Sequence, residues 1–190
     1  MFFDEEMLLD LRLNIMDKYV DKFVITEATY THSGNPKKLI FDINKFSKFK
    51  DKIIYIVVDK PPPDLLKVEE KDSLNEKQSK MTLNAKKRES YQIDKTQDAI
   101  NDANPDDMII ISDLDEIPNL ENIDFRIINK KLIFFKQKMF YYKLNLFYDG
   151  LHWYGSKACK KKYFISRQWI RDTKYKIQNS LEKAFRLECF

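Results

Sequence analysis

The chain has 190 residues, enough for one domain with a sizeable core, and at 43% hydrophobic and 14% aromatic it is too apolar to remain disordered. Its net charge of +4 hides an asymmetry, because residues 157–190 carry ten Lys/Arg against three Asp/Glu and leave residues 1–156 slightly acidic. Three glycines exclude the Gly-rich phosphate loops of dinucleotide folds and P-loops, Cys159 and Cys189 lack metal-ligand spacing, and no run of 18 apolar residues offers a membrane span.

Residues 4–20, DEEMLLDLRLNIMDKYV, are predicted as a helix with Asp4 as N-cap and with Leu8, Leu11 and Ile15 on one face. DKFVITEATY (21–30) reads as a buried strand that ends near Thr26-Glu27, and THSGNPKK (31–38) is turn chemistry that makes His32 a surface residue. KIIYIVVDK (52–60) reads as a second buried strand, closed by Pro61, Pro62 and Pro63. Residues 64–80 are charged and lack a steady apolar period, which predicts a flexible loop or a weak helix. Residues 87–107 are predicted as a helix with Ile93, Thr96 and Ile100 on one face and Asn104-Pro105 as its stop. MIIIS (108–112) is the third buried strand; residues 131–147 suit one or two antiparallel strands with their Phe/Tyr run in the core; and SRQWIRDTKY (166–175) reads as helical.

Helices alternating with continuous apolar strands predict a single α/β domain over 1–190, with a mainly parallel central sheet flanked by helices. Ligands of such sheets sit at the C-terminal strand edges, where Glu27 and the Asp113-Leu114-Asp115-Glu116 cluster fall. Carboxylates this close repel one another unless a positive group sits among them. A Mg²⁺ or Mn²⁺ ion, shared between protein oxygens and substrate phosphates, fits the pair Asp113 and Asp115. The plainer alternative is that one Asp caps the following turn while the others face solvent.

Residues 1–42, FKDKIIYIVVD (49–59) and NPDDMIIISDLDEIP (104–118) together resemble glycosyltransferase family 17, and the resemblance extends over about residues 2–172. That family includes the enzyme that adds the bisecting N-acetylglucosamine to N-glycans. The resemblance implies a GT-A-like fold, a nucleotide-sugar donor of the UDP-N-acetylglucosamine type, a glycan or surface-polysaccharide acceptor, inversion at the anomeric carbon and a Mn²⁺-type ion. By it, Asp113 and Asp115 are the Asp-x-Asp motif. The family pattern also has a strand before Met1 and a Gly-Gly-Trp-His-Phe-Ser-like segment after Phe190, so an inactive or donor-binding remnant is the alternative reading.

The remaining candidates follow from position. Glu27, in Thr-Glu-Ala where the family has Val-Glu-Ser, is a candidate acceptor for the donor base or ribose; a strand-end residue held by a loop amide is the competing reading. Arg88 and Gln92 lie on the helix before the third strand and are candidates for the diphosphate or sugar, although Ile93 stands where the family often has a basic residue. YDGLHWYGSKACKKK (148–162) resembles a Trp-x-Gly-x-Lys block, with Trp153 or Tyr154 to stack on a sugar and Lys157 to offset phosphate charge; a hairpin with packed aromatics is the alternative. Inversion needs a base for the acceptor hydroxyl, for which Glu116, Asp149 and His152 are the candidates. A haloacid-dehalogenase-like phosphatase also places Asp-x-Asp after an apolar strand, but Glu116-Ile117-Pro118 does not follow its pattern. With no signal peptide or disulfide framework, the expected setting is cytoplasmic. The basic tail 157–190 makes an anionic membrane surface a candidate partner, and no nucleic-acid partner is expected.

Overall fold

The computed structural model describes residues 1–143 and 145–175, together with the backbone of Phe185–Glu188. The rest of the basic tail, including Cys189, lies outside the described residues. Contacts gather the chain into two compact units, Met1–Glu6 with Asp21–Ala99 and Met7–Val20 with Ile100–Phe190.

In the first unit, strands β1 (Phe23–Ala28) and β2 (Ile53–Val58) pair in parallel, from Phe23 opposite Ile53 to Ala28 opposite Val58. The crossover between them contains 3₁₀ turns over Ile43–Lys52, started by the Asp42 carboxylate accepting from the Asn44 amide, and it buries Phe46 and Phe49. These two rings join Phe2, Ile25, Val58 and Ile93 in an apolar core.

Helix α2 spans Leu74–Asp94 and starts inside the segment read as a loop or weak helix. Ser73 and Glu76 form a reciprocal capping box that satisfies two otherwise orphaned amides. Apolar periodicity missed this start because two of the three buried side chains of α2, Asn84 and Gln92, are polar. Ile93, Thr96 and Ile100 are buried as expected, with a short helix α3 at Gln97–Asn101.

In the second unit, helix α1 (Glu6–Met16) buries Leu9, Leu13 and Met16, while Leu11 and Ile15 of the predicted face are exposed. The buried set has helical spacing with Arg12 in its i+3 slot, and that charge broke the apolar pattern in the sequence.

Strands β3 (Met108–Ile111), β4 (Ile133–Phe140), β5 (Phe147–Trp153) and β6 (Lys157–Lys160) form the sheet of this unit in the order β3-β6-β4-β5, every pairing antiparallel. Strand β7 (Phe185–Glu188) adds a parallel pairing to β4. The α/β class therefore holds, but a mainly parallel sheet is not what the described strands form. Parallel neighbours need a crossover of a dozen or more residues, usually a helix. Strand β6 lies between β3 and β4 and runs antiparallel to both, and β4 and β5 are too close in the chain for such a crossover. Strand β3 is also half-buried along its length rather than deeply buried.

Core residues here include Ile133, Phe135, Ala158, Cys159 and Ile170. Burial pushes the Cys159 thiol up to about 11, so it is a packing residue and not a nucleophile. Of the Phe/Tyr run expected in the core, Phe134 and Phe135 are buried, whereas Phe140, Tyr141, Tyr142, Phe147 and Tyr148 are exposed. Helix α4 (Arg167–Asp172) begins where the Ser166 hydroxyl accepts from the Trp169 amide at 3.1 Å. Among the described residues no helix is long and apolar enough to cross a membrane.

Candidate functional site

Beyond the end of β3 the backbone turns over residues 113–116. The Glu116 amide donates to the Asp113 carbonyl at 3.1 Å, and the Asp113 amide donates to Glu116 Oε2 at 2.9 Å. The turn is thus closed by one backbone and one side-chain bond, the pattern expected where a short acidic segment must hold its own amides.

Arg12 grips this turn. Its Nη1 donates to the carbonyls of Asp113 at 2.8 Å and Glu116 at 2.9 Å, and its Nη2 donates to the Ser112 hydroxyl. Burial lowers the Arg12 pKa to about 10, with Glu116, Asp113 and Asp115 opposing the shift and Arg167 adding to it. The guanidinium therefore stays charged at neutral pH and supplies the positive group that three neighbouring carboxylates require.

Glu116 is buried, and its second oxygen, Oε1, accepts from the Trp153 indole N–H at 2.6 Å. Its carbonyl also takes the Ser156 hydroxyl at 3.4 Å. Gly155 is required beside it, because a Cβ there would collide with Glu116 Oε1 and Trp153 Nε1. With one donor on each oxygen, the Glu116 carboxylate braces the turn and still has acceptor capacity left.

The Asp113 and Asp115 carboxylates stay outside the hydrogen bonds that close the turn. The Asp113 side chain is 42% exposed and faces Arg167 Nη2 at 3.8 Å and Arg171 Nη2 at 3.5 Å, both from α4. Asp115 is exposed. Among the described residues no cluster of three His, Cys, Asp or Glu groups could hold a metal unaided. Two adjacent anionic oxygen donors nevertheless suit Mg²⁺ or Mn²⁺, which bind through one or two carboxylates and complete their shell with substrate phosphates and water.

Lys157 belongs to this neighbourhood in another role than expected. It is buried, its ammonium donates to the Arg171 carbonyl at 2.5 Å, and it lies 5.8 Å from the Phe134 ring centre. Burial lowers its pKa, with Glu116 the strongest opposing influence. It secures the end of α4 with one of its three ammonium N–H donors.

Asp149 and His152 lie exposed along β5 and take no part in the network around Asp113. Trp153 is committed to Glu116, and Tyr154 stacks on Tyr175 with ring centres 4.8 Å apart.

Glu27, Arg88 and Gln92 fall in the first unit, and each holds protein structure. Glu27 is fully buried and accepts from Lys37, from the amides of Ile40 at 2.9 Å and Phe41 at 3.0 Å, and from the Tyr55 hydroxyl at 2.8 Å. Four donors fill a carboxylate's acceptor sites, so the held strand-end residue, not the donor-binding one, is what the geometry describes. Arg88 donates to the His32 carbonyl at 3.0 Å and lies over Gly34, whose φ of +95° and lack of Cβ let it approach. Gln92 is buried and donates to the Thr26 carbonyl at 3.1 Å.

Sequence reasoning missed Arg12, Ser156, Arg167 and Arg171. Arg12 was hidden by its charge on an otherwise apolar face. The i, i+4 spacing of Arg167 and Arg171 on a predicted helix was a readable sign of two guanidiniums on one side.

A sequence model described as Glycosyltransferase family 17 matches residues 1–180. Neither the curated proteins nor the solved structures give a significant match.

Proposed function

Because the chain belongs to glycosyltransferase family 17, we propose that the Asp113–Glu116 turn is the donor site of an inverting, metal-dependent transferase. It would move N-acetylglucosamine from UDP-N-acetylglucosamine to a glycan or polysaccharide acceptor. The observation that carries this reading is the division of labour in the turn. Glu116 and the backbone carbonyls are locked by Trp153 and Arg12, while the Asp115 carboxylate is exposed and the partly exposed Asp113 carboxylate faces Arg167 and Arg171.

In this reading Asp113 and Asp115 supply the anionic oxygens for a Mn²⁺ or Mg²⁺ ion. Such an ion, when bound, supplies positive charge to the donor diphosphate as the bond to the sugar breaks. Arg167 and Arg171 already lie beside Asp113, and their forked donors match phosphate oxygens held there. Arg12 fixes the backbone so that the carboxylates keep one geometry. The acceptor hydroxyl attacks the anomeric carbon from the face opposite the leaving diphosphate, and its proton passes to a base, for which Glu116, Asp149 and His152 are the candidates. A GT-A-like arrangement and a cytoplasmic setting form part of this proposal.

Calorimetry with UDP in the presence and absence of Mn²⁺, followed by a transfer or donor-hydrolysis assay with UDP-N-acetylglucosamine, tests it. Mn²⁺-dependent UDP binding with turnover is the expected result. Binding without turnover would leave a donor-binding remnant, and UDP binding indifferent to the ion would remove Asp113 and Asp115 from the role given them.

A further inference from the structure

We propose that the ribbon formed by the outer half of β4 and by β5 is an interfacial anchor that seats this chain on an anionic lipid surface. Strands β5 and β6 follow one another along the same side of β4, with the register passing from Phe134–Lys157 to Gln137–Trp153. From Gln137 onward β4 therefore pairs with β5 in a two-stranded ribbon, and all seven residues of β5 are exposed.

Side chains alternate across such a ribbon, and both of its faces carry aromatic rings. Phe140 and Phe147 pair on one face with ring centres 5.6 Å apart. Tyr141 and Tyr148 meet edge to face at 5.3 Å on the other. At the tip Tyr142 is 99% exposed and takes a left-handed φ of 61°, a conformation that costs a non-glycine residue stability. Near the tip the Tyr141 amide donates to the Leu146 carbonyl and the Leu146 amide to the Lys143 carbonyl, each at 3.0 Å, which lowers the cost of moving those groups out of water.

Charge decides the occupant. Residues 136–154 contain Lys136, Lys138 and Lys143 against one acid, Asp149. Lys138 lies on the Phe147 face, 6.0 Å from that ring centre, and Lys143 is exposed next to the tip. Exposed apolar surface of this extent marks an interaction site. Tyrosines, phenylalanines and lysines together are the composition that settles at a bilayer's headgroup level, with rings among the acyl-chain ends and ammonium groups at the lipid phosphates. A sugar platform would present ring faces on one side only, bordered by acids and amides; here ring pairs stand on both sides, tilted for Phe140 and Phe147 and edge to face for Tyr141 and Tyr148.

The test is co-sedimentation of the full chain with vesicles of phosphatidylcholine alone and of phosphatidylcholine mixed with phosphatidylserine. Three proteins are compared: the parent, a Tyr142→Ser/Phe147→Ser variant and a Lys138→Glu/Lys143→Glu variant. All three should keep the parent's circular dichroism, because none of the changed side chains is buried. The parent should prefer the anionic vesicles; losing each ring should weaken binding about tenfold, and losing each lysine about fivefold. The ribbon is not a lipid anchor if the parent ignores both vesicles or if the Tyr142→Ser/Phe147→Ser variant binds as the parent does. A parent dimer that the same variant dissociates, or protection of the ribbon by a soluble oligosaccharide and not by vesicles, would equally overturn the proposal.

Discussion

Arg12 and Asp113 stand 101 positions apart in the chain, and Arg12 Nη1 donates to the Asp113 carbonyl at 2.8 Å. One guanidinium from α1 thereby fixes the turn that carries the acidic motif. It acts on the backbone and leaves the Asp113 carboxylate to face Arg167 and Arg171.

Arg12→Met is therefore expected to destabilise the protein by about 3 kcal/mol, because it strands buried carbonyls and leaves the neighbouring carboxylates without their counter-charge. Denaturant midpoints measure this. Arg12→Lys should recover only part of the loss, since an ammonium cannot span Ser112 and two carbonyls as a planar fork does. Equal stability of Arg12→Met and the parent would show that the grip contributes nothing.

The legible part of this molecule was local. The strands β1, β2 and β3, the helix α4 and the acids beyond β3 follow from apolar runs and caps that a sequence displays. What escaped was set by distant partners: Arg12 reads as a surface residue until Ser112, Asp113 and Glu116 are brought to it. Glu27 reads as a ligand-binding acid until the amides of Ile40 and Phe41 fill its oxygens. The sheet direction after β3 escaped for a related reason. Apolar strands look alike whether the next neighbour is parallel or antiparallel, and the neighbour that β3 takes, β6, comes only after β4 and β5 in the chain.

Gly155→Ala should displace the Glu116 carboxylate and break its bond from Trp153. A cost of about 1–3 kcal/mol is expected from overpacking a closed site, with a changed tryptophan emission as the local readout. Gly150→Ala is the matched control. Its Cβ would meet the Tyr148 side chain at 2.7 Å, but that ring is exposed and can swing aside, so stability should stay within about 0.5 kcal/mol of the parent. Equal costs at the two glycines would mean that the Glu116 contact is not what requires Gly155.

Glu27 sets a pH dependence of stability. Burial pushes its pKa up, but Lys37, the amides of Ile40 and Phe41 and the Tyr55 hydroxyl outweigh this and hold it below the ordinary value of 4.5. The folded state therefore binds this proton more weakly than the unfolded chain does. Its stabilisation is fully present above pH 4.5 and is lost as pH falls through the folded value. Glu27→Gln should lower stability at pH 7 by about 3 kcal/mol, because it leaves the largely enclosed Lys37 ammonium without its counter-charge. It should also flatten the acid limb of the stability profile. An acid limb as steep in Glu27→Gln as in the parent would assign the acid sensitivity to other carboxylates.

The two motif acids should separate in stability and agree in function. Carboxylate repulsion alone would make Asp→Asn stabilising at either position. Asp113, however, faces Arg167 and Arg171, so Asp113→Asn exchanges relieved repulsion for lost attraction, and the net change should stay within about 1 kcal/mol. Asp115 is exposed, and Asp115→Asn should be neutral or mildly stabilising. If both carboxylates serve a hard divalent ion that carries the donor diphosphate, each substitution should abolish Mn²⁺-dependent UDP binding, since a neutral amide replaces an anionic oxygen ligand. Glu116→Gln should behave in the opposite way. It should cost stability first, by weakening the bonds from Trp153 and the Asp113 amide, and affect UDP binding only as the turn loosens. Calorimetry and melting curves on the three variants decide the matter: an Asp113→Asn/Asp115→Asn double variant that melts earlier yet binds UDP with Mn²⁺ as the parent does would make these acids structural.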